Sequence, residues 1–293
     1  MQEGRIIKAL SGFYYVESGD EVIQCRGRGV FRKRKVSPLV GDFVKFEAET
    51  KDEGYILEIM DRKNELIRPP IANIDQAIIV CSAVRPDFST LLLDRFLVLV
   101  ESKQIMPLIF ITKMDLTSPE QKEAIENYKT GYEKIGYTVE LLSSKDPDGK
   151  EYLHPHLTGK VSVVAGQSGV GKTSMLNALD SGLLLKTDAI SESLGRGKHT
   201  TRHVELIDIA GGLIADTPGF SSLDFQELDA VELSDCFPEM DRLSADCKFR
   251  GCLHHKEPGC AVKEAVEEGD IFIHRYEHYL RFLEEIQTRK PRY

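Results

Sequence analysis

A glycine-rich run that ends in lysine and threonine carries the clearest chemistry in this sequence. With the serine that follows it, the run consists of Gly166, Gln167, Ser168, Gly169, Val170, Gly171, Lys172, Thr173 and Ser174. It matches the phosphate-binding pattern G-x-x-x-x-G-K-[ST], in which backbone N–H groups close around phosphate oxygens. The pattern predicts that Lys172 reaches the β- and γ-phosphates of a nucleotide and that Thr173 holds Mg²⁺.

The residues on either side of this run predict the elements that position it. Residues 160–165 have the composition of a short buried strand, and residues 174–179 that of the first turns of a helix. The N-terminus of a helix adds positive potential beside the loop, which favours bound phosphate. Because strand, loop and helix are the context that the pattern requires, a chance glycine-rich turn is the weaker interpretation.

Two later segments predict contacts with Mg²⁺ and the γ-phosphate. The apolar residues 212–215 lead into the tetrapeptide Asp-Thr-Pro-Gly, from Asp216 to Gly219. P-loop NTPases place a carboxylate near Mg²⁺ at such a strand end, and the glycine N–H can meet the γ-phosphate. Residues 195–202 combine glycines, cations and two threonines, as a loop that orders around Mg²⁺ and γ-phosphate requires. A surface turn and a solvated basic loop are the alternatives.

A third segment indicates the base of the nucleotide. Thr112, Lys113 and Asp115 form a T-K-x-D pattern at the end of an apolar run, which resembles the N-K-x-D motif of GTPases with Thr in place of Asn. The Asp115 carboxylate would accept hydrogen bonds from guanine, whereas adenine would leave it unpaired. Ser143 and Ser144, which end another apolar segment, resemble the last GTPase motif, which lies behind the base.

The order of these motifs differs from that of ordinary GTPases, where the P-loop comes first. Here the base motifs at 112–115 and 143–145 precede the P-loop at 166–173, the threonine loop at 195–202 and the Asp-Thr-Pro-Gly turn at 216–219. A sheet survives such a rearrangement because the ends of a domain often lie close together. The order therefore predicts a circularly permuted P-loop GTPase domain.

A cluster of cysteines and histidine follows the GTPase motifs. With the spacing Cys-x4-Cys-x-His-x5-Cys, its members are Cys247, Cys252, His254 and Cys260. This set suits one tetrahedral Zn²⁺, and four protein ligands predict a structural site. His255, next to His254, is the alternative histidine ligand. A disulfide-bonded cluster is the other interpretation, but clustered Cys and His in a reducing compartment favour metal.

The first 66 residues have a different character. Short alternating segments separated by Gly, Asp and Pro turns predict a small OB-type β-barrel. Six cations with interleaved glycines and Phe31 lie within ten residues of this region: Arg26, Arg28, Arg32, Lys33, Arg34 and Lys35. Their density and the barrel context favour contact with RNA over a solvated loop.

The composition limits the classes of protein to which this chain can belong. The net charge is −9, so RNA binding must come from local basic patches and not from the whole chain. Neither a secretory leader nor an apolar run long enough to cross a membrane is evident, and we expect a cytoplasmic, monomeric protein. Cys25, Cys81 and Cys236 are scattered and are expected to be buried thiols.

Three domains are predicted at this length. They are an OB-type barrel at 1–66, a central α/β circularly permuted GTPase domain at 67–225, and a mostly helical zinc-binding domain at 226–293. Tandem prolines at 69–70 mark the first boundary. The segment 261–287 has the spacing of two helices whose apolar face is core.

A barrel, a GTPase in permuted order and this Cys₃His spacing together resemble the bacterial ribosome small-subunit-dependent GTPase A family (RsgA). The resemblance implies a GTPase of late 30S maturation that binds the subunit and its 16S rRNA, with slow hydrolysis of GTP to GDP that the subunit stimulates. It also implies that Thr201, or alternatively Thr200, binds Mg²⁺ with Thr173 and Asp216.

The resemblance implies a role for His199 as well. Phe220 occupies the position where many GTPases carry a water-orienting Gln, which predicts slow intrinsic turnover. A switch-loop histidine is implicated in the family and matches His199, so we expect His199 to orient water when the subunit orders the loop. A regulatory GTPase or P-loop NTPase with another RNA or protein partner, a small-molecule kinase and a non-catalytic RNA-binding protein are the alternatives.

Overall fold

The computed structural model describes residues 1–29, 31, 36–67, 69–143, 145, 149–179, 204–215 and 223–289. The chain divides into two compact units. The first contains residues 1–78 and 146–221, and the second contains residues 79–145 and 222–293. The three-domain division stays a prediction. Among the described residues, no helix is both long and apolar enough to cross a membrane.

The described strands follow one another in chain order as β1 (Gln2–Leu10), β2 (Phe13–Ser18), β3 (Glu21–Gly27), β4 (Phe43–Ala48), β5 (Gly54–Ile59), β6 (Glu65–Leu66), β7 (Ile71–Ala72), β8 (Gln76–Ser82), β9 (Met106–Thr112), β10 (Thr138–Leu141), β11 (Val161–Ala165), β12 (Val204–Ile209) and β13 (Gly212–Ala215). The described helices are α1 (Thr90–Glu101), α2 (Pro119–Ile135), α3 (Gly149–Leu157), α4 (Lys172–Leu179), α5 (Glu232–Asp235), α6 (Pro238–Ser244), α7 (Ala261–Glu268) and α8 (Ile273–Thr288). A 3₁₀ turn spans Met114–Leu116.

Five strands of the first unit close into a barrel. β1 pairs antiparallel with both β2 and β4, β2 pairs with β3, β3 runs parallel to β5, and β5 pairs with β4. Alternate residues such as Ile6, Val16 and Phe46 are fully buried, as the period-two pattern of a strand requires. The predicted N-terminal β-barrel is confirmed.

The rest of the first unit holds the strand that leads into the P-loop. β11 is buried at all five positions and runs parallel to β13, which pairs antiparallel with β12. Beside β11 lies the start of β8, where the Gln76 amide donates to Ser162 Oγ at 3.0 Å. β12 also pairs with β1, through Val204 opposite Ala9. A strand buried on both faces is typical of α/β proteins.

The second unit combines an α/β part with the C-terminal helices. The strand order is β8, β9, β10, with β9 and β10 parallel. α2 begins with a capping box between Ser118 and Gln121, which satisfies free N–H groups of the first turn. Phe237, Tyr279 and Phe282 are fully buried in one core that also contains Val98 of α1. The prediction of two helices within 261–287 is confirmed by α7 and α8.

Candidate functional site

The P-loop lies between β11 and α4, as the sequence predicts. Gly166, Gly169 and Gly171 have φ angles of 138°, 79° and 99°. A side chain at such angles would strain the backbone, so glycine is required for the loop to turn back toward the helix. Met175 N donates to Gly171 O at 2.9 Å, which starts the helical hydrogen bonding directly after the loop.

Lys172 is held against this loop. Its side chain donates from Nζ to the carbonyl oxygens of Gly166 at 2.9 Å and Gln167 at 2.6 Å. The residue is 8% exposed, and burial lowers the pKa of its ammonium group. The ammonium is therefore fixed and partly desolvated over the loop, where its field acts more strongly on an anion than it would in bulk water.

The remaining P-loop positions divide between core and surface. Val170 is buried and anchors the loop, whereas Gln167, Ser168, Gly169 and Ser174 are exposed. Gly166, Gly171 and Thr173 are half-buried. Open space surrounds Gly169 where a Cβ would lie. Much of the loop is thus accessible, as the binding of phosphate and Mg²⁺ requires.

The segment predicted to recognise the base lies at the carboxyl ends of β9 and β10. Thr112 is buried and donates from Oγ1 to Cys81 O at 3.1 Å, and its own carbonyl accepts from Ala83 N at 2.9 Å. The threonine that replaces the usual asparagine therefore fastens β9 to the neighbouring chain around β8. Asp115 follows, half-buried, in the 3₁₀ turn.

The same arrangement brings the two base motifs together. Leu142 N donates to Ile111 O at 2.8 Å, and Met114 N donates to Leu142 O at 3.1 Å. Ser143, half-buried, accepts a hydrogen bond at Oγ from Lys145 N at 3.1 Å. Parallel strands that end at one edge are the physical reason, because their carboxyl-terminal loops must share that edge.

Lys113 adopts an unusual backbone conformation at this edge. Its φ of 63° is left-handed, a conformation that few non-glycine residues adopt. Its Nζ donates to the carbonyl oxygen of Arg85. The lysine stem is thereby directed along the loop that follows β8.

The four predicted metal ligands converge. One ligand atom from each of Cys247, Cys252, His254 and Cys260 lies within 4.8 Å of the other three. The Cys247 and Cys260 sulfurs are 3.9 Å apart, and His254 Nδ1 lies 3.3 Å from the Cys260 sulfur. Zn–S bonds of about 2.3 Å in a tetrahedron place sulfurs about 3.8 Å apart, so this donor set can hold a metal ion.

The histidine of the cluster is oriented by a serine that the sequence did not indicate. His254 is 1% exposed, and Ser234 Oγ lies 2.8 Å from its Nε2. A partner at the second nitrogen fixes the ring and its tautomer for a metal at Nδ1. Tyr276 and Tyr279 donate to the carbonyl oxygens of His254 at 2.7 Å and Leu253 at 2.8 Å.

The alternative ligand, His255, points elsewhere. It is exposed, and its backbone N–H donates to the Glu257 carboxylate at 3.0 Å. The same carboxylate accepts from Leu253 N at 3.1 Å, which shapes the loop around His254. Glu257 and Ser234 gave no sequence signal, because neither belongs to the Cys/His spacing. Tyr276 and Tyr279 lay in the predicted core stripe of the last helix.

The predicted basic segment of the barrel is described only in part. Arg26 and Arg28 are exposed, and the Arg26 guanidinium lies 4.7 Å from the centre of the Phe13 ring. Phe31, which the sequence grouped with these cations, is 7% exposed and belongs to the barrel core. It therefore offers no exposed ring for a base, whereas the half-buried Phe13 remains accessible beside Arg26.

Several predicted site residues lie outside the described residues. These are Arg32, Lys33, Arg34, Lys35, Ser144, His199, Thr200, Thr201, Asp216, Gly219 and Phe220. The predicted buried thiols Cys25, Cys81 and Cys236 are described, and all three are buried and free.

A P-loop between a buried strand and a helix, preceded in the chain by base motifs at the ends of parallel strands, defines a permuted P-loop nucleotide-binding protein. The model of the RsgA GTPase family matches residues 59–226, and that of the RsgA N-terminal domain matches residues 3–56. The chain belongs to the RsgA GTPase family.

Curated relatives agree over the full length. "Small ribosomal subunit biogenesis GTPase RsgA 2" of Oceanobacillus iheyensis is 66% identical over 293 residues and covers 100% of both chains. "Small ribosomal subunit biogenesis GTPase RsgA" of Bacillus subtilis is 60% identical over 298 residues, again covering 100% of both.

Solved structures agree as well. YloQ, described as a circularly permuted GTPase, superimposes with a TM-score of 0.86 at 55% identity and covers 100% of this chain and 97% of its own. YjeQ from Thermotoga maritima superimposes with a TM-score of 0.87 at 34% identity, and the match covers 99% of each chain. The permuted order predicted from the motifs is therefore confirmed.

Proposed function

We propose that this protein binds the small ribosomal subunit and hydrolyses GTP during a late step of its maturation. The observation that carries the proposal is full-length identity of 66% to a small ribosomal subunit biogenesis GTPase. The P-loop geometry and the two base motifs in the sequence are what the reaction requires of the chain.

The nucleotide would be bound through its phosphates and through its base. The glycines of the loop, Lys172 and Thr173 meet the phosphates and Mg²⁺, which supplies the positive charge that hydrolysis needs. Asp115 accepts from the guanine edge, and Lys113, Thr112, Ser143 and Ser144 support the base. The intact carboxylate favours GTP over ATP, because adenine would leave it unpaired.

Hydrolysis would depend on two further parts of the chain. Thr201 and Asp216 complete the Mg²⁺ site with Thr173, with Thr200 as the alternative threonine. His199 orients the attacking water, because Phe220 cannot replace the glutamine that other GTPases use. Subunit-stimulated turnover should therefore fall in His199→Ala, and equal turnover in the variant and the wild type would refute the assignment.

The Cys₃His cluster would hold one structural Zn²⁺. Four protein donors fill a tetrahedral shell and leave no position for substrate. Burial of His254 and its contact with Ser234 support a permanent site, because such contacts hold the ring in its ligating orientation.

The barrel would contact 16S rRNA. Exposed Arg26 and Arg28 support this role, together with the cations at 32–35. An acidic chain of net charge −9 would restrict binding to such patches. We propose a cytoplasmic monomer that uses GTP and GDP as its ligands.

GTP hydrolysis by the full chain, alone and with purified 30S subunits, tests the proposal, with 50S subunits as the control. We expect slow turnover alone and strong stimulation by 30S subunits only. If neither subunit stimulated turnover while the protein still bound GTP and rejected ATP, the claim that the small subunit is its partner would be refuted. If the wild-type protein hydrolysed GTP no faster than Lys172→Ala under every condition, the claim that it is a GTP hydrolase would be refuted.

A further inference from the structure

A small pocket lies between α2 and the start of α8, within the second unit. It has a volume of about 150 Å³ and is partly open to solvent. Most of its lining is apolar or aromatic, and the residues that matter here are Tyr128, Gly131, Tyr132, Ile135, Phe272 and His274. An apolar cavity of about 150 Å³ is large enough to bind benzene. We call this cavity the α2–α8 pocket.

A glycine of α2 lets one wall of the pocket lie close to the helix. Gly131 is buried, and a Cβ at this position would lie 3.0 Å from Cζ of the Phe272 ring and 3.1 Å from its Cε2. The bare backbone therefore accommodates the ring against α2. Because Phe272 lines the pocket and is also 36% exposed, it lies where the pocket meets solvent.

His274 lies among three aromatic rings that also line the pocket. Its ring centre is 5.7 Å from that of Phe272, 5.8 Å from that of Tyr128 and 6.4 Å from that of Tyr132. The contact with Tyr128 is edge-on, with 86° between the ring planes. Aromatic rings attract one another at such distances, so these walls favour a ligand that is itself an aromatic ring.

One polar atom of this lining has no partner. His274 Nε2 is buried and makes no hydrogen bond to any of the described residues. Burial lowers the pKa of His274, so the ring is neutral near pH 7, with one nitrogen as donor and the other as acceptor. A buried polar atom without a partner is costly, and native structures rarely keep one.

The two buried polar residues beside His274 are committed elsewhere. Tyr132 donates from its hydroxyl to Asp94 at 2.6 Å, and Arg275 donates to Asp94 and to Glu239 at 2.7 Å each. A buried water usually makes about three hydrogen bonds, which suits a polar site better than this one. A ligand that joins an apolar ring to one hydrogen-bonding group matches the lining more closely.

We propose that the α2–α8 pocket binds a phenol ring and that His274 Nε2 pairs with the hydroxyl group of this ring. A hydroxyl group both donates and accepts, so it satisfies either tautomer of the neutral histidine. The ligand is a free phenolic compound or the tyrosine side chain of another protein, since both present the same ring. The proposal does not depend on the proposed function, because the pocket shares no residue with the predicted nucleotide, metal or RNA sites.

Titration of the full chain with phenol and with toluene tests the proposal. NMR signals of the Ile135 methyl groups report on the pocket directly, because Ile135 lines it. Phenol should shift these signals saturably, with a Kd of about 1 mM or tighter. Toluene should bind at least about fivefold more weakly, because it leaves Nε2 unpaired. A purely apolar pocket would show the opposite preference, since it would desolvate the hydroxyl group without a partner.

Two variants separate the hydrogen bond from the shape of the pocket. His274→Phe keeps an aromatic ring but removes both nitrogens, so phenol should bind about 5- to 10-fold more weakly and toluene should become the preferred ligand. His154→Phe, at an exposed histidine of α3, is the matched control and should change neither affinity. Gly131→Ala adds a methyl group to the wall beside Phe272 and should weaken both ligands. Alanine favours the helix, so this variant keeps the test valid if His274→Phe does not fold.

The outcomes decide both the site and the source of its ligand. No saturable shift of the Ile135 signals, tighter binding of toluene than of phenol by the wild type, or equal phenol affinity in the wild type and a folded His274→Phe would each overturn the proposal. N-acetyl-L-tyrosinamide distinguishes the sources. If it shifts the same signals as strongly as phenol does, the pocket receives a tyrosine side chain. If phenol alone binds, the ligand is a free phenolic compound.

Discussion

The phosphate loop and the Cys₃His cluster are both short loops, but the contacts that shape them differ in range. Lys172 binds carbonyl oxygens five and six residues away, and the left-handed conformations of the loop glycines set the path of the backbone. His254 depends on Ser234, 20 residues earlier, and its carbonyl oxygen on Tyr276, 22 residues later. The first site is made by local backbone, whereas the second needs the packing of several helices.

This difference predicts how substitutions act. A change in the phosphate loop should affect chemistry and leave the fold intact, because its contacts are local. A change in or behind the Cys₃His cluster should affect the fold of the C-terminal helices, because ligands and helices support one another.

Cys252→Ala gives the largest expected effect. A structural zinc site contributes about 10–16 kcal/mol of apparent binding energy at pH 7, so the C-terminal helices should lose their fixed packing. Zinc content and near-UV circular dichroism measure this directly. Cys236→Ala, which removes a buried thiol outside the cluster, should keep zinc and destabilise by about 1 kcal/mol. If Cys252→Ala were as stable as the wild type without metal, the Cys₃His cluster would not support the packing of the helices, and the contrast with the phosphate loop would be wrong.

Arg275→Met tests the packing behind the cluster. Arg275 is fully buried and binds Asp94 and Glu239 at 2.7 Å each. Removing one partner of a buried ion pair costs about 3–5 kcal/mol. Denaturant unfolding should show this loss, and Arg281→Met, an exposed position on the same helix, should show almost none. Equal stability of the two variants would mean that the network does not support the helices.

The network of Asp94 and Arg275 predicts that the stability of the fold depends on pH. Burial would raise the pKa of Asp94, but the Arg275 charge and hydrogen bonds from His278, Tyr132 and Arg275 outweigh it and hold that pKa below its usual range. A depressed pKa gives stability that is present above the unfolded value of about 3.9 and lost as pH falls below it. The stability difference between wild type and Asp94→Asn should therefore shrink in acid, measured by denaturant unfolding.

Lys172→Ala should act on chemistry alone. Loss of one positioned cation at the phosphates should lower kcat/KM for GTP about 100- to 1,000-fold. Thermal stability should not fall, because the substitution removes an ammonium group whose pKa is already lowered by burial. Lys122→Ala, at an exposed lysine of α2, is the matched control. A large loss of stability would show that the phosphate loop, too, depends on distant packing.

Ser234→Ala gives the smallest effect of the series. Without its partner at Nε2, His254 should bind zinc about 10- to 100-fold more weakly, while the four ligands remain. Competition with a chelator measures the change. Ser244→Ala removes a hydroxyl that donates to the Asp241 carbonyl oxygen at 2.8 Å, and zinc affinity should not change. If both variants bound zinc with equal affinity, Ser234 would have no role in metal binding.

Much of the architecture could be predicted because its signals are local. The alternating segments of the barrel, the strand before the P-loop and the two C-terminal helices follow from periodicity and turn residues. The replacement at Thr112 was visible, but its effect was not. Only the fold shows that Thr112 Oγ1 binds Cys81 O, 31 residues earlier. The burial of Phe31 was likewise missed, because a run of cations resembles an exposed loop whichever way one ring faces.

The sequence by itself determined the phosphate loop, the permuted motif order and the four Cys₃His positions. Each depends on residue types at short spacing, and such spacing fixes backbone conformation or ligand chemistry. Only the tertiary structure decided that His254 and not His255 turns inward, that Ser234 stands behind it, and that Arg95 and Arg289 hold Leu223–Asp229. These contacts join residues 20 to 128 positions apart, and only packing of the helices brings them together.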